Sequence, residues 1–316
     1  MDELVVIALA GFLAAMVDGA LGMGFGPTSA SILLSSGLSP AATSATVNLA
    51  KVATGLVSGV SHWRFGNIDR RLVIRLALPG ACGAVVGATV LAATDGDDLR
   101  PVLALMLLTV GVRLAMRFSR PLPGHPAAAS GSRGSGEPSL PRGTELAGAA
   151  GGLTNGLVGA WGPVVTPFLL HRGLPPRVAV GSVNTAEVAV ATVSAGSLLG
   201  SLGGNGIELA VVLAMLGGGV VAAPLAAYVV RFLPARILGL AVAGLLLVTQ
   251  SRELGSSGWL PVDPRFVYVA VTMGIAYAAA RPRMQRGLLV PNALQALPPE
   301  LPGRRPVGHG SGDLTS

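Results

Sequence analysis

Long apolar runs broken by short polar or glycine-rich stretches make up most of the chain. Runs of about 17–25 apolar residues are long enough to cross a bilayer. They predict helices over residues 41–61, 72–93, 99–118, 177–199 and 207–230, with shorter ones over 235–249 and 265–280. Two further segments are interrupted. Residues 4–21 read as a helix with Asp18 near its end, followed by glycines and a short piece over 28–35. Residues 145–161 and 164–170 repeat that layout. Each pair is too short for two crossings of about 20 residues each, so each is expected to be a broken or re-entrant hairpin. Ser39 and Pro40 mark a helix start, with serine as cap and proline at the first helical position.

The two interruptions are copies of each other. Residues 18–27 read DGALGMGFGP, and residues 155–163 read NGLVGAWGP, one residue shorter. From Pro27 and Pro163 onward the copies align without a gap. Leu33, Leu34, Gly37, Leu38, Pro40, Val47, Asn48 and Ala50 match Leu169, Leu170, Gly173, Leu174, Pro176, Val183, Asn184 and Ala186. A single fixed offset carrying so many identities indicates a duplicated unit.

Composition assigns the class. Of the 316 residues, 51% are hydrophobic and 12% charged, where a soluble domain carries about a quarter charged. The net charge of +7 lies in loops and tail, the pattern of membrane orientation and not of nucleic-acid binding. Aromatic residues, at 4%, are too sparse for a base-stacking surface. The start, Met1-Asp2-Glu3, lacks the basic region of a signal peptide, so the first apolar segment is expected to remain in the mature protein. The single Cys82 allows no internal disulfide; it is expected to pack between helices, with a sulfur-handling thiol as the alternative.

Arginines orient the chain. Loops 64–71, 113–142, 231–236 and 281–286 carry them and are expected in the cytoplasm, with the acidic loop 95–98 outside. Helix 41–61 then runs inward and its copy 177–199 outward. The fold expected is all-α: a polytopic, multi-pass protein of the inner (plasma) membrane with two inverted-topology repeats, each opening with a Gly-rich broken helix. Its N-terminus is expected outside and its C-terminus in the cytoplasm. The organisation expected is 1–118 for the first repeat, 119–143 for a disordered linker, 144–286 for the second repeat with a final helix, and 287–316 for a disordered tail.

The paired Gly-rich openings, the two G-L-x-P turns, SHWRFGNID at 61–69 and SVNTAE at 182–187 together resemble the sulfite exporter TauE/SafE family. The resemblance covers residues 4–118 and 144–253. It implies transport of sulfite, a sulfonate or a related small anion. The long linker and basic tail depart from the simplest family pattern without touching the repeats.

Lys51 and Glu187 occupy equivalent mid-helix positions. A charge at that depth costs about 2.5–3.5 kcal/mol on insertion scales and usually faces an interior cavity. They are expected to bind substrate, or to form a structural ion pair locking the two halves. Asn48 and Asn184 lie one turn before them on the same faces. Gly24, Gly26 and Pro27, with Gly162 and Pro163, would open half-helices whose N-termini offer free N–H groups to an anion; their structural alternative is close helix packing. Asp18 is expected to cap its break or carry a proton, and His62 to be an interfacial anchor. No metal site, cofactor fingerprint, nucleophile–base motif or P-loop is present in the sequence. The function expected is therefore a secondary transporter, most simply an exporter, of a small anion in a lipid bilayer, and not an enzyme. The alternative is a non-transporting scaffold or subunit of a larger complex, and the sequence leaves a homo-oligomer open.

Overall fold

The computed structural model describes residues 2–21, 23–119, 140–202, 208–229, 235–259 and 264–280. Their regular structure is helical throughout. The first half holds α1 (Asp2–Leu21), α2 (Phe25–Ser35), α3 (Pro40–Arg64), α4 (Arg70–Ala93) and α5 (Gly96–Ser119). The second holds α6 (Thr144–Val158), α7 (Gly162–His171), α8 (Pro176–Leu202), α9 (Leu209–Val229), α10 (Ala235–Ser256) and α11 (Pro264–Ala280). Most of the expected 119–143 linker, and all of the 287–316 tail, lie outside the described residues, as do Arg231 and Arg281.

Arg70–Ala93, Asp98–Ser119 and Pro176–Leu202 are long and apolar enough to cross a membrane. Large apolar side chains face outward on most helices, among them Leu9, Val57, Leu78, Leu105 and Leu213. The interior packs apolar side chains such as Leu33, Leu76 and Leu169 and also encloses Ser44, Asn48, Lys51, Asn155, Ser182 and Ser194. An apolar exterior that shields a few buried polar and charged groups is what lipid as solvent selects. The chain is a polytopic helical membrane protein.

The repeated sequence folds into repeated local structure. Both G-L-x-P turns end their short helix in the same way. Leu38 N–H donates to Leu33 O at 3.2 Å and Gly37 N–H to Leu34 O at 3.1 Å; Leu174 N–H donates to Leu169 O at 3.2 Å and Gly173 N–H to Leu170 O at 3.1 Å. This paired bonding closes a helix around one left-handed residue, and Gly37 (φ 97°) and Gly173 (φ 84°) supply it. Pro40 and Pro176 then open α3 and α8, and the Ser39 hydroxyl accepts from Ala42 N–H at 3.3 Å.

Each first helix packs against the fourth helix of the other half, α1 on α9 and α6 on α4. The α4–α6 contact is made by small residues. A Cβ on Gly152 would lie 1.9 Å from Gly80 O, one on Gly148 2.8 Å from Leu76 O, and one on Gly156 2.5 Å from Ala84 O. Those pairs advance together, so the two helices run parallel at backbone contact, the small-residue mode of membrane packing. An exposed Arg75–Glu145 ion pair joins the same helices. The equivalent helices α3 and α8 instead run antiparallel: Lys51 meets Glu187, and Ser58, further along, meets Asn184. The loop after α3 also reaches α8, where Asp69 N–H donates to Ser182 Oγ at 3.0 Å. Asp69 then caps α4 through Arg71 N–H (2.9 Å) and Leu72 N–H (3.2 Å).

Helix bounds differ from expectation at the breaks. α6 stops at Val158, three residues short of Trp161, because Gly159 turns left-handed (φ 68°). α2 starts at Phe25, so Pro27 is its third residue, and Pro163 is the second of α7. A first turn needs no partners for its N–H groups, so proline fits at either place. Cys82 is exposed and does not pack between helices.

Candidate functional site

A helix that ends inside a membrane leaves its last carbonyls without partners. At the end of α6, α3 supplies them. Ser44 Oγ donates to Gly156 O at 2.7 Å, Asn48 Nδ2 to Asn155 O at 3.2 Å, and Lys51 Nζ to Gly159 O at 2.6 Å. The ammonium therefore sits at the negative end of the α6 dipole. Lys51 Nζ also donates to Asn155 Oδ1 at 3.0 Å and pairs with Glu187 on α8. An ammonium has three donors, and these three acceptors match them.

The other break has the opposite polarity. Asp18, near the end of α1, accepts from Gly24 N–H at 3.0 Å and Phe25 N–H at 3.2 Å. A carboxylate thus occupies the positive end of α2, the seat expected for a substrate anion. At the start of α7, by contrast, the preceding Trp161 makes no side-chain cap. The Trp161 indole is fully buried and donates to Val183 O at 3.2 Å.

Between the breaks lies a cavity of about 50 Å³, room for a few waters or one small ion. Lys51, Asn184 and Glu187 line it, with Gly26, Pro27, Gly162 and Pro163. Asp18 and Ser58 also face it. Seven of the nine residues singled out by sequence therefore meet at one place. The other two stand behind it. Gly24 is turned to Asp18, and Asn48 is fully buried. The two breaks touch: a Cβ on Gly26 would fall 1.8 Å from Gly159 O and 3.2 Å from Lys51 Nζ. Close packing and nearness to the cavity are thus both served by the same glycine.

Four residues that complete the arrangement, Asp18, Asn155, Ser58 and Ser194, are absent from the sequence-derived binding set. Asn155 Nδ2 donates to Asn48 Oδ1 at 2.7 Å and to Ser194 Oγ at 3.0 Å, and all three side chains are fully buried. Their repeat equivalents are Asp18, Asn184 and Ser58. There, Asn184 Nδ2 donates to Ser58 Oγ at 3.3 Å and all three face the cavity. One copy of the trio is closed and the other open. The signal for Ser58 and Ser194 was in the sequence, as the same offset that relates Lys51 to Glu187.

This constellation holds charge and polar groups in a small enclosed space at the meeting of two broken helices. Comparison with known proteins agrees with that reading. The sulfite exporter TauE/SafE family matches residues 7–252. The chain is 40% identical over 259 residues to the probable membrane transporter protein YtnM of Bacillus subtilis (strain 168), covering 80% of this chain and 83% of that protein. No solved structure matches. These matches support a membrane transporter, and with the motifs and broken repeats in place the chain belongs to the sulfite exporter TauE/SafE family.

Proposed function

We propose that the protein is a secondary transporter that exports a small anion, such as sulfite or a sulfonate, through the cavity between the two breaks. The observation that carries this reading is the Lys51–Glu187 pair, set beside an open space with Asn184 and Ser58 facing it. The walls carry one ammonium and two carboxylates, Asp18 and Glu187. Glu187 either pairs with Lys51 until an entering anion displaces it or carries a coupled proton. Asn48 holds Lys51's neighbours in place, and Gly24 holds the Asp18 cap.

The repeats are proposed to be inverted, with N-terminus outside and C-terminus in the cytoplasm. The antiparallel run of the equivalent helices α3 and α8 supports this. The open and closed trios are then two halves of one device that exchange roles during transport. Export suits the electrical gradient: a negative interior favours exit of each negative charge by about 2.3 kcal/mol per 100 mV.

A scaffold remains the second reading because all three Lys51 donors have partners in the protein. Flux separates the two. Proteoliposomes loaded with sulfite, with an inside-negative potential imposed, should release it faster than protein-free vesicles. Release no faster than from protein-free vesicles for sulfite, methanesulfonate and sulfoacetate alike would leave the scaffold.

A further inference from the structure

A second cavity, of about 320 Å³, lies beside the first and shares Met23 and Pro163 with it. Its walls are apolar along α5 (Met106, Val110, Leu114) and at the α6–α7 break (Val158, Ala160). Two cations on α5, the exposed Arg113 and, one turn on, Arg117, are among its lining residues. Among the described residues neither is in an ion pair. Arg117 is half-buried; its Nη1 donates only to Met23 Sδ, at 3.5 Å, and its guanidinium lies 5.6 Å from the Phe118 ring. A half-buried guanidinium without a counter-charge favours an incoming anion. In the central cavity, by contrast, the ammonium is already matched by Asn155, Gly159 and Glu187. Among the described residues, the larger cavity is the one whose lining cations have no ion-pair partner.

The rest of this cavity suits neither water nor an inorganic ion. Binding sites combine apolar walls with a few placed polar groups that fix orientation. Here the walls ask for an apolar body and the arginines for an anionic head. We propose that this cavity is a binding site for a small organic anion with an apolar body, its head on Arg117 and Arg113. It would be a station on the way to the central cavity, behind Met23 and Pro163. The route rests on the transport reading; the binding does not.

Equilibrium binding to the full chain in nanodiscs of zwitterionic lipid tests it, by titration calorimetry with methanesulfonate, butanesulfonate and neutral butanol. Butanesulfonate should bind about tenfold or more tighter than methanesulfonate, from burial of its extra methylenes, and butanol should not bind. Arg117→Gln should weaken butanesulfonate at least tenfold, and Arg117→Lys less. Val110→Trp, which fills the apolar wall and leaves the arginines, should remove the chain-length preference. Equal affinity along the series, or undiminished binding by Arg117→Gln, overturns the site. So does butanesulfonate binding that phosphatidylglycerol in the disc abolishes, since the cavity then belongs to lipid. If butanesulfonate binds as expected while no anion crosses proteoliposomes, the transport reading fails and the site stands. If anions cross without the chain-length preference, the reverse holds.

Discussion

At the scale of single residues, the site is held by charges placed on broken helix ends. Lys51 is 6% exposed, and its removal leaves Glu187, Asn155 Oδ1 and Gly159 O without their partner. Breaking a buried pair from one side costs about 3–5 kcal/mol, so Lys51→Ala should lower the midpoint of thermal unfolding sharply. Lys51→Ala with Glu187→Ala should regain much of it; a double variant as unstable as the single one would mean that the unpaired carboxylate is not the cause. Asp18 acts as a cap through one oxygen. Asp18→Asn keeps an acceptor and should melt near wild type, whereas Asp18→Ala should lose about 0.5–2 kcal/mol. Equal melting of the two would contradict the capping role. Lys51 and Glu187 were legible from sequence because a charge in an apolar run is costly wherever it falls. Asp18 as a cap was legible as a possibility. That its carboxylate fills the anion seat of α2 was not, because it depends on the fold of six residues between them.

At the scale of elements, glycine does two different jobs that sequence alone does not separate. Gly37 and Gly173 provide left-handed turns, and the repeated G-L-x-P pattern announced both. Gly148, Gly152 and Gly156 instead let α6 lie on the backbone of α4. Their spacing of four is a helical face, but which helix receives it follows only from the exchange of first helices between halves. Gly152→Ala should push α6 off Gly80 and cost about 1–3 kcal/mol as overpacking does. Gly196→Ala, with nothing within 4 Å of the added carbon, should be neutral or gain about 0.5–1 kcal/mol in a helix interior. Thermal unfolding of the two variants checks the contrast, and a harmless Gly152→Ala would refute backbone contact between α4 and α6. The start of α2 and the end of α6 differ from the sequence expectation by a few residues because proline is accepted through the first turn, and because Gly159 ends α6 before the apolar run ends.

At the scale of the molecule, two repeats are proposed to lie in opposite orientation around one cavity. In a Cys82→Ala background, cysteine at Asp98 and at the linker residue Ser135 should react with an impermeant thiol reagent from opposite sides of the membrane. Reaction from one side would end the inverted arrangement. Ser58→Cys, facing the cavity, should react with a small soluble reagent faster than Ser194→Cys, which is fully buried. A transported anion should narrow that difference as the trios exchange. The class could be read from composition, and the repeat and the meeting of Lys51 with Glu187 from one offset in the sequence; which copy of the trio is open could not, because both carry the same residue types at Asn48 and Asn184 and at Ser58 and Ser194. The most direct measurement is anion efflux from proteoliposomes by the Lys51→Ala, Glu187→Ala double variant, at matched protein content and with melting near wild type. Its release should be no faster than from protein-free vesicles while the wild type empties. Release by the folded double variant at the wild-type rate would show that the pair only holds the helices together and that the anion passes elsewhere.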